Sequence, residues 1–334
     1  MTVANRILEY ALALVLIPAG AVFYMTNMPG TSYSGVLPPL TSEEAQLGEH
    51  LREHIARLAG EIGERNVWRD GTLEAAADYI EAAFREMDFA VSSQAYTAEG
   101  TTVRNLEVVL KGTSLAEDII VIGAHYDTVR GSPGANDNSS GVAALLEIAR
   151  FLRGKILERS VRFVAFVNEE APFFYSPEMG SYRYARRARE HGEKIIAMLS
   201  LETIGYYSDV TGSQHYPNAV YSWFYPDTAN FIGFVGNLGS RKLVRRCLDS
   251  FRRHTAFPSE GVAAPGGRTG IHWSDHWSFW EAGYPALMVT DTALFRYPHY
   301  HASTDTPDKI DYERLARVVM GLAKVTVDLA QAKP

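Results

Sequence analysis

Apolar and polar positions along the chain predict strands and helices that follow one another. Short, continuous apolar runs predict buried strands at residues 119–123, 160–167, 195–201 and 285–290. Apolar spacings of three and four, together with helix-start residues, predict helices at residues 42–58, 73–87, 141–152, 181–189, 242–253, 275–281 and 312–330. Residues 89–96 and 103–110 are predicted to pair as strands, and residues 205–236 to form loops with one strand. We therefore predict an α/β fold, a three-layer α/β/α sandwich around a mixed, mostly parallel central sheet.

The N-terminal segment is predicted to be a membrane anchor. Residues 11–25 carry no charge, Arg6 precedes them, and no Lys or Arg follows until Arg52. A terminal apolar run of this kind favours an uncleaved signal anchor, with a cleaved export signal and a buried core helix as alternatives. We expect a transmembrane segment at residues 1–29, a linker at 30–41 and one catalytic domain at 42–334. The scarcity of basic residues after the run places that domain on the outer side of the membrane, in the periplasm or outside the cell.

Composition restricts the chemistry. The formal net charge is −7 at pH 7, which provides no basic excess for nucleic acid. Cys247 is the single cysteine, so an intrachain disulfide and a cysteine-rich zinc cluster are excluded. A metal in this protein must therefore be held by His, Asp and Glu side chains.

Polar residues end or follow the predicted strands. His125 and Asp127 lie two apart and share a face, so a carboxylate can hold the second ring nitrogen of the imidazole. Asp137 follows in the next loop, Glu169 and Glu170 come directly after an apolar strand, and Glu202 ends another. Because ligands of open α/β sheets bind outside the carboxyl ends of the strands, these side chains predict a metal site there.

The candidate ligands are numerous enough for two metals. They comprise two imidazoles and three carboxylates: His125, Asp137, Glu170, Glu202 and His301. Such a nitrogen and oxygen set suits zinc, with cobalt or manganese as substitutes, and exceeds what one catalytic zinc needs. Two metals about 3.5–4 Å apart can polarise a carbonyl and activate a shared water near neutral pH.

These motifs resemble those of the co-catalytic di-zinc aminopeptidases, which are related to glutaminyl-peptide cyclases and some carboxypeptidases. The resemblance covers roughly residues 73–329 in motif order and spacing. It consists of His125-Tyr126-Asp127, the loop Gly134-Ala135-Asn136-Asp137-Asn138-Ser139-Ser140-Gly141, Glu169-Glu170, and Tyr300-His301 followed by Asp305-Thr306-Pro307.

The resemblance implies a role for each residue and a peptide as the substrate. His125 and Glu202 would bind one zinc, Glu170 and His301 the other, and Asp137 would bridge both. Asp127 would orient His125, and Glu169 would be the general base. Tyr300 matches a tyrosine that donates to the oxyanion in some members. The chain departs from the family pattern at Glu202, where Asp is usual, and at Asn138, where an acidic residue is frequent.

Each motif alone has a structural explanation. Asp137 reads as a helix N-cap, Glu169-Glu170 as a solvated pair and His125 as a core histidine. Their conjunction in order favours a site. We interpret His272, His276 and His299 as structural or pocket-lining residues, and Asp275 as a residue that helps to hold the site.

Several functions remain open at this point. An aminopeptidase is the main prediction. A carboxypeptidase or dipeptidase would need a cation near the metals, which Arg268 or Arg296 could supply. A glutaminyl cyclase would use one zinc, and a non-catalytic binding domain of the same fold would have no need of Glu169.

Overall fold

The computed structural model describes residues 3–331. The strands are β1 Ser92–Ala98, β2 Thr101–Leu110, β3 Leu115–His125, β4 Arg159–Phe166, β5 Lys194–Glu202, β6 Ile232–Asn237, β7 Ser259–Ala264 and β8 Ala286–Thr290. The helices are α1 Val3–Thr26, α2 Ser42–Ile55, α3 Thr72–Glu86, α4 Gly141–Leu152, α5 Gly180–Glu190, α6 Arg241–His254, α7 His276–Glu281 and α8 Tyr312–Ala330.

All eight strands form one mixed sheet in the order β1-β2-β4-β3-β5-β8-β6-β7. The four central strands β4, β3, β5 and β8 run parallel, so their carboxyl ends lie at one edge of the sheet. Strand β2 is antiparallel to β1 and β4, and β6 is antiparallel to β8. The predicted mixed, mostly parallel sheet is confirmed in its centre.

Alternate residues of β3 enter two separate cores. Ile120 and Ile122 pack in the larger core with residues of α2, α3, α4, α6 and α8. Ile119 and Val121 point the other way, into a smaller core formed with residues of α5 and α7. Each fully buried Ile or Val contributes about 1.5–3 kcal/mol of transfer free energy. Helices therefore cover both faces of the sheet, as the three-layer prediction required.

The start of α2 is fixed by a capping box. The Thr41 side chain accepts from the Glu44 N–H, and the Glu44 carboxylate accepts from the Thr41 N–H at 2.8 Å. These bonds satisfy amides that the first helical turn leaves free. After α2 the chain continues as a π-helical stretch at Ala56–Ile62, where an ordinary helix to residue 58 was predicted. This stretch carries the chain to Arg65, beside the candidate site.

The N-terminal segment forms α1, whose end packs on the domain. Arg241 donates to the Tyr24 carbonyl at 2.7 Å and lies over the Tyr24 ring. Within residues 3–331 no helix combines the length and apolar character needed to cross a membrane. The transmembrane segment predicted for residues 1–29 is therefore not confirmed.

Strand β7 was not predicted. Its sequence, Ser259–Ala264, contains a glycine and a glutamate and shows no apolar alternation that would mark a strand. The strand forms because β7 pairs in parallel with β6 along its whole length. Residues 205–236 form loops and β6, as predicted.

Candidate metal centre

Five predicted ligands meet at the carboxyl edge of the parallel strands. His125 is the last residue of β3, and Glu202 is the last residue of β5. Glu170 follows β4, and His301 lies in the loop after β8. Asp137 lies in the segment Ala135–Ser140 that leads into α4, and its own backbone is non-helical (φ −109°, ψ 90°). Because β3, β4, β5 and β8 are neighbours and parallel, segments far apart in sequence converge on one place.

The first group of potential ligands is His125, Asp137 and Glu202. The His125 Nε2 atom lies 3.4 Å from Asp137 Oδ1 and 3.3 Å from Glu202 Oε2. All three side chains are buried.

The second group is Asp137, Glu170 and His301. The His301 Nε2 atom lies 3.1 Å from Asp137 Oδ2 and 3.4 Å from Glu170 Oε2. The His301 side chain is 37% exposed, so this group opens towards solvent. Asp137 thus offers one oxygen to each group, which is the arrangement of a bridging carboxylate.

Several atoms of this cluster have no other partner. His125 Nε2, Asp137 Oδ2 and Glu170 Oε1 are buried and, among the described residues, accept or donate no hydrogen bond. In each group one atom from every residue lies within 4.8 Å of the others. Buried polar atoms are normally hydrogen-bonded, and those that are not require an explanation. Divalent cations held by imidazole nitrogen and carboxylate oxygen provide one, so the residues present fit two zinc ions.

The charged groups of the cluster shift one another's pKa values. Burial alone would lower the pKa of His125, but the carboxylates of Glu202 and Glu169 outweigh it and raise that pKa well above its usual value. Burial raises the pKa of Glu170 to about 7, helped by Asp137 and opposed by His301. The four buried carboxylates of this cluster therefore need nearby positive charge for their ionised forms.

Glu169 belongs to neither ligand group. Its Oε2 atom lies 3.9 Å from His125 Nε2, beside the first group. Burial, with smaller contributions from the Glu202 and Glu170 carboxylates, raises the pKa of Glu169 well above its usual value, against the effect of His125. A buried carboxyl with a raised pKa beside a ligand cluster is a candidate for a general acid or base.

Asp127 contacts both its predicted partner and the glutamate pair. The His125 Nδ1 atom lies 3.2 Å from the Asp127 carbonyl oxygen and 3.5 Å from the carboxylate. The carboxylate itself accepts from the N–H groups of Glu169 at 3.1 Å and Glu170 at 3.0 Å. Asp127 therefore fixes the backbone of the general-base candidate as well as a ligand.

Asp305 makes the equivalent contact on the other side of the site. Its carboxylate accepts from the Asn136 N–H at 2.9 Å and the Asp137 N–H at 3.1 Å. The Tyr297 hydroxyl donates to the same carboxylate at 2.6 Å. The loop that carries Asp137 is thus held by hydrogen bonds to its main chain.

Ser274 is a site residue that the sequence analysis missed. Its hydroxyl donates to Glu202 Oε2 at 2.7 Å and is also 2.8 Å from the Ser200 hydroxyl. A single serine carries no spacing signal, although it directly precedes Asp275, which the sequence analysis interprets as a residue that helps to hold the site. The neighbouring Asp275 is fully buried, and burial raises its pKa to about 7.

The three histidines interpreted as structural lie outside both ligand groups. His276 is buried and contacts the Ile271 carbonyl at 2.8 Å. His299 contacts the Thr304 hydroxyl at 2.8 Å, and His272 stacks on Tyr175. Their placement agrees with the prediction.

Tyr300 stacks on His301 with a centroid distance of 3.9 Å and reaches the edge of an apolar pocket. Burial and the Asp137 and Glu170 carboxylates raise the pKa of Tyr300 well above its usual value, so the phenol stays protonated. The pocket has about 900 Å³, including space open to solvent, and Glu202 is one of its lining residues. Its walls include Phe231, Ile271, Trp273, Met288 and Phe295.

Backbone strain marks the ligand-bearing segments. Three non-glycine residues there have left-handed dihedrals: Asn168 (φ 59°) before Glu169, Thr203 (φ 44°) after Glu202, and His301 itself (φ 56°). Such conformations cost of order 1–3 kcal/mol each and collect at functional sites. A Cβ on Gly134 would lie 2.3 Å from the Asp137 carbonyl oxygen, which explains the glycine at that position.

Comparison with known proteins places the chain in a family. The model of peptidase family M28 matches residues 105–326, more than half of the chain. The uncharacterized protein YfbL of Escherichia coli (strain K12) is 36% identical over 282 residues, covering 82% of this chain and 86% of YfbL. Aminopeptidase YwaD of Bacillus subtilis (strain 168) is 28% identical over 246 residues, covering 70% of this chain and 46% of YwaD. The chain thus spans about half the length of that aminopeptidase.

Solved structures share the fold. A zinc aminopeptidase from Bacillus subtilis superimposes with a TM-score of 0.67 at 16% identity, covering 86% of this chain and 95% of that one. A glutaminyl cyclase from Porphyromonas gingivalis gives a TM-score of 0.63 at 20% identity, covering 84% of this chain and 98% of that one. The enzyme class predicted from the sequence, a zinc-dependent metallo-aminopeptidase, agrees with these findings. The chain belongs to peptidase family M28, and the predicted kinship with the zinc aminopeptidases is confirmed.

Proposed function

We propose that this protein is a two-zinc exopeptidase that removes the N-terminal residue of peptides, with Glu169 as its general base. The observation that carries the proposal is the shared carboxylate of Asp137. It lies within 3.4 Å of His125 through one oxygen and within 3.1 Å of His301 through the other. Two ligand groups that share a carboxylate support two ions, with His125 and Glu202 holding one and Glu170 and His301 the other.

Zinc ions in these positions would polarise the scissile carbonyl and make a water between them more acidic. The protein's own residues do the rest. Glu169 takes a proton from the attacking water and delivers it to the leaving amine, for which its raised pKa is suited. Tyr300, which stacks on His301, donates a hydrogen bond from its phenolic O–H to the oxyanion.

The apolar pocket next to Glu202 supports a bulky apolar N-terminal residue as the substrate. Its aromatic and aliphatic walls begin at a ligand of the first group, so the side chain of a bound residue would enter the pocket. The free α-amine of the same residue would then lie near the carboxylates of Glu202 and Glu169.

The arginines proposed for a carboxypeptidase support that alternative poorly. Arg296 is buried and donates to the Gln214 side chain at 2.8 Å and to the Phe231 carbonyl at 2.8 Å. These bonds fix its guanidinium within the fold rather than at the ligand groups. Arg268 lies exposed in the loop after β7. A glutaminyl cyclase with a single zinc would leave one of the two groups without a function.

The location of the protein is a separate proposal. The uncharged residues 11–25, preceded by Arg6 and followed by a long stretch without basic residues, support an exported domain that is either anchored or released by cleavage. Fractionation of cells that express the full chain tests this. Recovery of the protein with the cytoplasmic fraction would overturn it.

The test of the activity combines metal content with peptide hydrolysis by the full chain. We expect two zinc equivalents per chain and chelator-sensitive release of aniline from leucyl-anilide, with none from N-acetyl-leucyl-anilide. One equivalent with cyclisation of an N-terminal glutamine would instead support the cyclase. A chain without bound zinc would overturn the proposed activity and favour a non-catalytic binding domain of the same fold.

A further inference from the structure

Arg65 is a buried cation that donates hydrogen bonds to the segments carrying two of the candidate metal ligands. Its exposure is 0%, and its donors reach only main-chain carbonyls and one hydroxyl. Nε donates to Tyr126 O at 2.7 Å, Nη1 to Pro133 O at 2.7 Å, and Nη2 to Ser139 Oγ at 2.9 Å. Further bonds go to the carbonyls of Leu58, Gly63 and Gly134.

These bonds connect the segments of His125 and Asp137, two of the three residues of the first ligand group. Tyr126 stands between His125 and Asp127 at the end of β3, whereas Pro133, Gly134 and Ser139 flank Asp137. The Arg65 main chain adds to the connection, because its N–H donates to Thr128 Oγ1 at 2.9 Å and its carbonyl accepts from the Thr128 N–H at 2.8 Å. One side chain therefore bridges the His125 segment and the Asp137 loop.

The charge of Arg65 has no direct partner. Among residues 3–331, no carboxylate lies within ion-pair distance of its guanidinium. Burying a charge without a partner is costly, so compensation must come from a longer range. Burial lowers the pKa of Arg65 to about 10, and the carboxylates of Asp127, Asp305 and Asp137 oppose this. The guanidinium thus offsets part of the negative charge of these three carboxylates.

We propose that Arg65 is a positioning residue of the metal centre: its guanidinium holds the Asp137 loop against the end of β3 and offsets the carboxylate charge, so that the shared ligand is in place before metal binds. This inference rests on the proposed two-zinc function. It assigns to Arg65 no contact with the substrate. The chemistry calls for arginine, because lysine keeps the charge but has one nitrogen in place of the three that spread these bonds over two segments.

The experiment compares Arg65→Lys, Arg65→Met and the control Arg69→Met in the full chain. Arg69 lies four residues on and is exposed, so its loss removes the same charge from the chain without touching the site. Two quantities are measured: zinc affinity by competition with a chelator, and hydrogen exchange of the segment 133–139 in the metal-free protein. A residue that only stabilised the fold would change the unfolding temperature without selectively changing exchange in this segment.

We expect Arg65→Lys to lose roughly tenfold in zinc affinity and Arg65→Met up to about a hundredfold, as for residues that orient ligands elsewhere. Exchange of segment 133–139 should accelerate in both variants and stay unchanged in Arg69→Met. Wild-type zinc affinity together with unchanged exchange in Arg65→Lys would overturn the inference, even where Arg65→Met fails to fold. A wild-type chain that binds no zinc would instead sink the proposed function, which separates the two failures.

Discussion

Asp127 and Asp305 hold two ligand-bearing segments by the same contact. Each carboxylate accepts the N–H groups of two consecutive residues, one per oxygen. For Asp127 these are Glu169 and Glu170, and for Asp305 they are Asn136 and Asp137. Charge-assisted bonds of this kind are about twice as strong as neutral ones. The candidate ligands Glu170 and Asp137 are thus positioned through their main chains.

Exchanging either carboxylate for an amide should weaken metal binding, because Asn presents an NH₂ group to one of the two N–H donors. We expect Asp127→Asn and Asp305→Asn each to lower zinc affinity by roughly ten- to hundredfold. Both zinc equivalents should be affected in each variant: Asp305→Asn displaces the shared Asp137, and Asp127→Asn loosens His125 of one group and Glu170 of the other. Zinc titration against a chelator measures this, with the exposed Asp308→Asn as the control. Zinc affinities of Asp127→Asn and Asp305→Asn equal to that of Asp308→Asn would contradict the assignment.

Glu169→Gln should separate catalysis from metal binding. The amide keeps the shape of the side chain but cannot accept a proton, so the rate of aminoacyl-anilide hydrolysis should fall by roughly 10²–10⁴-fold. Zinc content should remain at the wild-type value, because Glu169 belongs to neither ligand group. Loss of zinc together with activity would show that Glu169 is a ligand and that another residue is the base.

Ser274→Ala should weaken the zinc group that contains Glu202. The hydroxyl orients the Glu202 carboxylate through a 2.7 Å hydrogen bond, and without it this longer side chain gains freedom. We expect about a tenfold loss of affinity for one of two zinc equivalents. Ser278→Ala is the matched control, because Ser278 is equally buried and contacts Ser181 at 2.9 Å away from the ligands. Identical zinc binding by the two variants would argue against a role for Ser274.

Glu147 should make stability depend on pH at acid values. Burial would raise the pKa of Glu147, but His54 and Arg150 outweigh it and lower that pKa to about 2. A lowered pKa stabilises the fold above the unfolded value near 4.5, and this contribution disappears as the pH falls from about 4.5 to about 2. Glu147→Gln should therefore be less stable than wild type at pH 6, and the difference should shrink below pH 4. Urea unfolding at a series of pH values measures it. A difference that stays constant with pH would contradict this assignment.

Narrowing the apolar pocket should change specificity rather than chemistry. Thr269 is exposed at the pocket wall, so Thr269→Trp adds volume there with little cost to the fold. We expect kcat/KM to fall for leucyl- and phenylalanyl-anilides and to stay close to wild type for alanyl-anilide. An equal fall for all three substrates would mean that the pocket does not receive the terminal side chain.

The helices could be predicted because their apolar residues recur at spacings of three and four, and the central strands because they are continuously apolar. Strand β3 is apolar on both faces and fills two cores, and α8 has the bounds predicted from its apolar spacing. The edge strand β7 escaped prediction because its partner β6, rather than its own pattern, fixes it. The predicted ligands, whose role stays a prediction, converge since they end or follow strands whose direction brings them to the same edge.

The supporting residues were beyond the sequence for a physical reason. Ser274 and Arg65 act through hydrogen bonds to groups remote in the chain, and neither lies at a spacing that a helix or strand would create. Asp305 was recognised as part of a motif, but its function depends on main-chain amides of the Asp137 loop. Local motifs can indicate which residues are candidate ligands, whereas the residues that position those ligands are identified by tertiary contacts.

The convergence of the ligands has a consequence for the lifetime of the protein. His125 lies on the third strand and His301 after the eighth, so a chain interrupted before β8 retains four ligands but cannot complete the second group. Zinc that binds only the complete fold stabilises it by mass action. Zinc supply should thus govern how long each molecule survives proteases, and a metal-starved cell would lose the enzyme through degradation as well as through inactivity.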